Sequence, residues 1–148
     1  MEIREIESGE LDALLALYRH LHPDDAPLPP QSTVEEVWRE ALAHPWSRYF
    51  GGYESGRLVT TCSIVIIPNL TRGCRPYGLI ENVVTHPDSR NRGWGKRVLA
   101  HALQFAWSRD CYKVMLLTGR KEESVLGFYE SAGFDRHGKQ GFVARPPA

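Results

Sequence analysis

The chain has 148 residues, 42% hydrophobic and 24% charged, with 18 basic and 18 acidic side chains. This composition is typical of a soluble globular protein, and we interpret residues 1–148 as one domain. The balanced charge argues against nucleic-acid binding, which usually needs a basic excess. The longest aliphatic run, residues 64–67, is far too short to cross a membrane.

The cysteine and histidine spacing predicts neither a disulfide framework nor a metal site. The three cysteines are far apart, no CxxC occurs, and the histidines show no ligand spacing. The first ten residues lack the apolar segment of a signal peptide. We therefore expect a cytoplasmic protein with reduced thiols and no bound metal.

The first third of the chain predicts a short strand and two helices. Residues 2–6 alternate polar and apolar side chains, as a strand does. Ser8 fits the N-cap of a first helix, which the proline-rich segment 22–30 ends. Ser32 and Glu35 fit a capping box at the start of a second helix, which ends near Pro45.

The rest of the chain is richer in strand patterns. Residues 47–54 and 57–67 predict two strands joined by a Ser55-Gly56 hairpin turn. Further strands are predicted at 79–85 and 111–117, helices at 94–109 and 124–132, and a final hairpin within 134–144. One helix separates strands 79–85 and 111–117, so they should be parallel. The fold class is mixed α/β, a mostly antiparallel sheet with one βαβ crossover and helices on both faces.

The segment HPDSRNRGWGKRVL (86–99) lies at the corner between a strand and a helix. A helix N-terminus presents free N–H groups and favours anions, especially phosphates. The two glycines would let a ligand approach the backbone, and the basic side chains would add countercharge. A solvated basic turn explains the same residues, so glycine spacing alone leaves both interpretations open.

Two motifs carry a family resemblance. Residues 90–95, RNRGWG, resemble the R/Q-x-x-G-x-G/A motif of the GNAT N-acetyltransferases, and residues 128–134, FYESAGF, resemble that family's FYxxxGF segment. The order of elements is similar along nearly the whole chain. Within the family, the chain is most similar to glucosamine-phosphate acetyltransferases, in the glycine corner and in the segments IENVVTHP, CYKV and FYE. One departure is Glu122, where many relatives carry an Asn that contacts CoA.

The resemblance implies acetyl-CoA as cosubstrate and the GNAT acyltransferase fold. The corner would hold the pyrophosphate through Arg90, Asn91, Arg92, Gly93, Trp94, Gly95 and Lys96. Strand 79–85 would bulge and diverge from strand 111–117. The pantetheine arm would then pair with the backbone of Val83, Val84 and Thr85, and an N–H near Val83 would polarise the thioester carbonyl.

Two side chains are candidates for the proton transfers. Tyr129 would be the acid for the leaving thiolate, because thiol and phenol have similar proton affinities. Helical spacing with Val125, Phe128 and Ala132 equally predicts core packing for this tyrosine. Glu81 would be the base, since a carboxylate within an apolar strand needs a partner or a use. A paired or solvent-facing carboxylate is the alternative.

The resulting hypothesis is an N-acetyltransferase that transfers acetyl from acetyl-CoA to a primary amine of a small molecule, by direct attack in a ternary complex. The alternatives are a non-catalytic CoA-binding module, a protein N-terminal or lysine acetyltransferase, and an anion- or nucleic-acid-binding domain. Asp24 and Asp25 would suit a cationic acceptor, whereas Arg72 and Arg75 would suit an anionic one. The resemblance also implies a homodimer.

Overall fold

The computed structural model describes residues 2–148 as a five-stranded sheet between two groups of helices. The strands run in spatial order β1 (Glu2–Glu5), β2 (Ser47–Glu54), β3 (Arg57–Ile67), β4 (Tyr77–Thr85) and β5 (Val114–Leu116). The helices are α1 (Leu11–Tyr18), α2 (Gln31–Ala43), the single turn α3 (Thr71–Cys74), α4 (Trp94–Ser108) and α5 (Glu123–Ser131). Within residues 2–148, no helix is long and apolar enough to cross a membrane.

The strand directions follow from the connections. The β1–β2, β2–β3 and β3–β4 pairs are antiparallel, whereas β4 and β5, joined through α4, are parallel. The β2–β3 hairpin turns at Ser55 and Gly56, whose φ angles of 50° and 78° suit a two-residue turn of this hand. The predicted mixed sheet and its βαβ crossover are therefore confirmed.

Two apolar cores cover the two faces of the sheet. On the face of α4, the buried cluster comprises Phe50, Cys62, Ile64, Ile66, Ile80, Val98, Leu99, Ala102, Ala106 and Cys111. On the face of α1 and α2, it comprises Ile6, Leu14, Leu17, Trp38, Tyr53, Leu58 and Val84. We call these the α4 face and the α1 face. The helices thus bury both sides of the central strands.

Three local predictions are wrong. The predicted strand 111–117 is only Val114–Leu116. The first helical segment is capped by a box between Glu7 and Glu10 rather than by Ser8. The second helix begins at Gln31 because the Pro30 carbonyl accepts the first helical hydrogen bonds, so Ser32 lies inside the helix instead of capping it.

The predicted final hairpin is also wrong, since no strand follows β5 within residues 2–148. Arg136 donates to Glu123 at 2.7 and 3.0 Å and to Glu130 at 2.7 Å. These bonds fold the chain directly after α5 back over that helix. Phe142 and Val143, which the pattern placed in a strand, are 89% and 69% exposed.

Glu10 links the N-terminal strand and helix to β2. Its carboxylate accepts from the Arg4 guanidinium at 2.8 and 2.9 Å, from the Tyr53 hydroxyl at 3.0 Å and from the Glu7 backbone N–H at 2.7 Å. The Arg4 hydrogen bonds are the main cause that lowers the pKa of Glu10 to about 2. The ionised form of Glu10 therefore stabilises the folded state.

We expect the stability that Glu10 contributes to disappear in acid. Because the folded pKa lies below the ordinary 4.5, the contribution is full above pH 4.5 and is lost as pH falls towards 2. Its upper limit is about 3 kcal/mol of unfolding free energy. Urea unfolding at several pH values should show a gap between wild type and Glu10→Gln that closes in acid. Glu2→Gln is the control, because Glu2 is 66% exposed and also pairs with Arg4. A gap independent of pH would contradict this interpretation.

Candidate active site

The middle of β4 carries a β-bulge. Glu81 pairs with Ser63 and Val84 with Thr61, so Asn82 and Val83 together face the single residue Cys62. Asn82 has a φ of 53°, in the left-handed region that asparagine tolerates better than most residues. The bulge takes backbone groups of β4 out of the regular ladder, which makes them available to another partner.

β4 and β5 diverge at the level of the bulge in β4. The two strands pair only from Gly78 to Ile80, opposite Val114 to Leu116, and residues 81–85 of β4 have no partner in β5. Unpaired strand edges present N–H and C=O groups to which an extended ligand can bind. The structure thus contains both the bulge and the divergence that the resemblance implied.

Glu81 and Tyr129 approach this opening from opposite faces of the sheet. Tyr129, on α5, packs against the α4-face core, as does Val83. Ile80 belongs to that core, so its neighbour Glu81 points to the other face, because side chains alternate along a strand. The two candidates for proton transfer are therefore separated by the strand along which the pantetheine arm would lie.

Tyr129 is half-buried between aromatic rings. Its ring lies edge-on to Phe128 and Phe134, with centroid distances of 5.0 and 6.3 Å. Its hydroxyl makes no hydrogen bond within residues 2–148. Burial raises the pKa of Tyr129, the Arg120 charge lowers it, and Cys62 and Glu81 raise it further. Tyr129 thus combines the packing role with a protonated, uncommitted hydroxyl.

Glu81 is exposed and forms no ion pair or side-chain hydrogen bond in the part of the chain that the structure describes. The β3 side chain beside it, Ser63, donates instead to the Glu81 carbonyl oxygen at 3.2 Å. This carboxylate is therefore not held in a structural network. It is free to act on a ligand at the α1 face, or simply to face solvent.

The two corner positions, 93 and 95, favour glycine for different structural reasons. Gly93 is the N-cap of α4 with a φ of 78°, and a Cβ there would meet nothing within 4 Å. Gly95 is buried, and its Cβ would lie 3.0 Å from Phe128 Cζ and 3.3 Å from Thr85 Oγ1. Gly93 therefore permits the turn, and Gly95 permits close packing of α5 and β4 against the start of α4.

The remaining corner residues divide into backbone and side-chain candidates. The N–H groups of Trp94, Gly95 and Lys96 belong to the first turn of α4 and have no acceptor within the helix. The Trp94 side chain is 1% exposed, so only its backbone can reach a ligand. Val84 is likewise buried, and Asn91 takes a left-handed φ of 58°.

Among the corner cations, two are already engaged. The Arg92 guanidinium pairs with both oxygens of Glu54. Arg90 Nε donates to the Thr85 carbonyl at 3.2 Å, which ties the corner loop to the end of β4. Lys96 is exposed and forms no ion pair within residues 2–148. The first turn of α4 with Lys96 fits a pyrophosphate better than the arginine side chains do.

The residues considered for the acceptor lie away from this opening or face solvent. Arg75 pairs with Asp110 at 3.2 Å, and the Arg72 guanidinium lies 5.7 Å from the Tyr112 ring. Both arginines precede β4, at the opposite end from the glycine corner. Asp24 and Asp25 are exposed. None of the four therefore identifies the acceptor.

Sequence reasoning missed Arg120, whose charge lowers the pKa of Tyr129. Arg120 lies in the loop between β5 and α5 and pairs at 3.3 Å with Glu122, the residue at the position where many relatives have Asn. No motif marks this arginine, and its effect on Tyr129 depends on how the loop folds. The separation of nine positions between Arg120 and Tyr129 in sequence does not by itself predict this effect.

The comparisons with known proteins agree with this geometry. The sequence model of the Acetyltransferase (GNAT) family matches residues 11–134, and the chain belongs to this family of acetyl-CoA-dependent enzymes. It is 35% identical over 145 residues to a glucosamine 6-phosphate N-acetyltransferase of Trypanosoma brucei brucei, which covers 95% of this chain and 92% of that protein.

Solved structures show the same fold. A putative acetyltransferase from Agrobacterium tumefaciens is 44% identical with a TM-score of 0.92, covering 99% of this chain and 100% of that one. A Trypanosoma brucei acetyltransferase is 32% identical with a TM-score of 0.75, covering 97% and 99%. The chain is therefore an N-acetyltransferase by family, as the motifs predicted.

Proposed function

We propose that this enzyme acetylates the primary amine of an amino-sugar phosphate, by direct attack on acetyl-CoA in a ternary complex. The observation that carries the proposal is the bulged β4, diverging from β5 and followed directly by the glycine corner of α4. Similarity over nearly the whole chain to a glucosamine 6-phosphate N-acetyltransferase supports this acceptor class.

The chain offers a binding surface that fits acetyl-CoA, which supplies an activated acetyl thioester when bound. The first-turn N–H groups of α4, with Lys96, would hold the pyrophosphate. Arg90 and Asn91 would shape the loop before them. The backbone groups of residues 83–85 that have no partner in β5 would align the pantetheine arm, and the Val83 N–H would polarise the carbonyl.

Two residues would move protons on opposite sides of β4. Glu81 would take a proton from the acceptor ammonium, directly or through one water, and so free the lone pair of the amine. Tyr129 would give its phenolic proton to the thiolate as the C–S bond breaks. The nitrogen loses a second proton as the amide forms, and this proton returns through solvent to the Tyr129 phenolate. Of the two protons that leave the ammonium, one thus remains on Glu81 and the other replaces the proton that Tyr129 gave to the sulfur.

Calorimetric titration with acetyl-CoA, followed by an amine panel with CoA release as readout, tests the proposal. The panel should contain glucosamine 6-phosphate, unphosphorylated glucosamine, an aminoglycoside, a polyamine and a peptide N-terminus. We expect micromolar cofactor binding and the highest kcat/KM with the amino-sugar phosphate. Binding without turnover of any amine would indicate a regulatory CoA-binding module instead.

We expect Glu81→Gln to lower kcat/KM about 100-fold at neutral pH, the usual range for loss of a general base. The acidic limb of the pH–rate profile should disappear, because the variant has no carboxylate to protonate. Glu36→Gln, at an exposed position on α2, is the matched control and should leave the profile unchanged. A variant that keeps the acidic limb would remove Glu81 from the mechanism.

We also propose that residues 1–148 act as one domain, as a cytoplasmic homodimer. The two cores share one sheet, which supports one domain. Cys62, Cys74 and Cys111 are all free thiols, as in a reducing compartment.

The exposed Phe142 and Val143 provide an apolar surface for a second copy. Light scattering should report a dimer that Phe142→Ser weakens.

A further inference from the structure

A buried hydroxyl on β3 contacts the end of β4, and the mechanism above does not use it. Thr60 is fully buried, and its Oγ1 lies 3.0 Å from the Val84 carbonyl oxygen and 2.9 Å from Thr85 Oγ1. Both neighbours belong to the stretch of β4 that has no partner in β5. Thr60 is therefore hydrogen-bonded to the strand segment along which the pantetheine arm would lie.

The two hydrogen bonds of Thr60 have a definite direction. A threonine hydroxyl has a single proton to donate. The Val84 carbonyl oxygen can only accept, so Thr60 donates to it, and Thr85 must then donate to Thr60 Oγ1. The Thr85 hydroxyl has therefore committed its only proton to β3, and it has only lone pairs left for another partner.

These lone pairs lie between the divergence of the strands and the glycine corner. The Thr85 side chain is half-buried, and its Oγ1 lies 3.3 Å from the position that a Cβ on Gly95 would occupy. The Thr85 carbonyl oxygen is held separately, by Arg90 Nε at 3.2 Å. Within residues 2–148, no donor is hydrogen-bonded to Thr85 Oγ1. The side chain thus presents an acceptor, and no donor, where the cofactor would pass from β4 to α4.

We propose that Thr60 is a positioning residue for acetyl-CoA: it accepts the hydrogen bond of Thr85, so that Thr85 Oγ1 in turn accepts one from a donor of the pantetheine arm. That arm offers two amide N–H groups and one hydroxyl as donors. An acceptor whose own proton is already committed binds such a group without first losing rotational freedom. The inference rests on the proposed function, because it needs the arm along residues 83–85.

The choice of variants separates this role from the stability that any buried hydroxyl provides. Thr60→Val replaces the hydroxyl by a methyl group. Thr61→Val is the matched control, because Thr61 is equally buried on the same strand and its hydroxyl donates to the Phe50 carbonyl of β2 at 2.8 Å. Each variant loses a buried hydroxyl, so we expect similar decreases in melting temperature. Only Thr60→Val should weaken the binding of acetyl-CoA.

Two ligands locate the effect within the cofactor. Calorimetry with acetyl-CoA should give a Kd about fivefold higher for Thr60→Val and about tenfold higher for Thr85→Val, the range for one hydrogen bond. The fragment 3′-phospho-ADP, which lacks the pantetheine arm, should bind every variant with the wild-type Kd. The double variant should bind acetyl-CoA no more weakly than Thr85→Val, because Thr60 acts only through Thr85. Thr60→Ser keeps the hydroxyl and should keep wild-type affinity.

Several results would overturn this inference alone. They are an equal loss of acetyl-CoA affinity in Thr61→Val, an equal loss with 3′-phospho-ADP, and full additivity in the double variant. Unchanged acetyl-CoA binding in Thr85→Val would do the same, even if Thr60→Val failed to fold. Wild-type protein that binds no acetyl-CoA would instead overturn the proposed function, and this inference with it.

Discussion

Gly95→Asp is expected to weaken acetyl-CoA binding by at least roughly 100-fold, the largest effect of any single change at the corner. An aspartate in the first turn of α4 would accept from the same N–H groups that a pyrophosphate needs, and its charge would repel the ligand. The new Cβ would also press on Phe128, which lies 3.0 Å away. Calorimetric titration measures the loss.

Gly9→Asp is the control for this experiment. A Cβ at Gly9 meets nothing within 4 Å, and Gly9 lies in the turn before α1, outside the corner. It adds the same charge without blocking α4, so its affinity should match wild type. A folded Gly95→Asp protein that still binds acetyl-CoA with wild-type affinity would show that the corner is only a basic turn.

Tyr129→Phe is expected to lower kcat roughly 100- to 1000-fold while the Kd for acetyl-CoA changes less than about threefold. The phenylalanine ring keeps the edge-on packing with Phe128 and Phe134, so the fold of α5 should persist. Only the proton for the leaving thiolate is lost. Single-turnover kinetics with CoA release as readout separates this loss from any change in binding.

The pH dependence gives a second test of Tyr129. Its pKa is raised by burial, so the phenol stays protonated, and competent as an acid, to higher pH than an ordinary tyrosine. The alkaline limb of kcat should move accordingly and vanish in Tyr129→Phe. Tyr112→Phe, a tyrosine beside β5 that packs on Tyr77, is the control. Equal single-turnover rates for Tyr129→Phe and wild type would restrict Tyr129 to packing.

Local patterns predicted most of the fold. Alternating side chains around Ser55-Gly56 specified the β2–β3 hairpin, and the apolar stripe of 94–109 specified α4 to within one residue. Apolar side chains repeat every two residues in a strand and every 3.6 residues in a helix, so a short stretch of sequence is enough to predict these elements. The βαβ crossover followed because a single helix separates β4 from β5.

The wrong predictions depend on contacts that are distant in sequence. Phe142 and Val143 have strand-like side chains, but a strand needs a neighbour, and Arg136 turns the preceding chain towards Glu123 and Glu130. The pattern of residues 134–144 contains no information about those carboxylates. A local pattern can therefore predict strand propensity here but not strand pairing.

The candidate site divides in the same way. The two motifs located the corner around Gly93 and the tyrosine of α5, because each motif is a continuous stretch of sequence. The reason for Gly95, the contact with Phe128, joins two helices and could not be predicted from spacing.

The attachment of α5 has a consequence for local unfolding. None of residues 123–131 is fully buried, and the Arg136 ion pairs with Glu123 and Glu130 join α5 only to the segment that follows it. The helix is therefore attached to the rest of the fold by partly buried apolar side chains such as Phe128 and Tyr129. Dissolved salt screens the exposed ion pairs, so it weakens the contact of the C-terminal segment with α5 and leaves the apolar contacts of α5 unchanged. We therefore expect the backbone amides of α5 to exchange with solvent before those of α4, which has six fully buried residues.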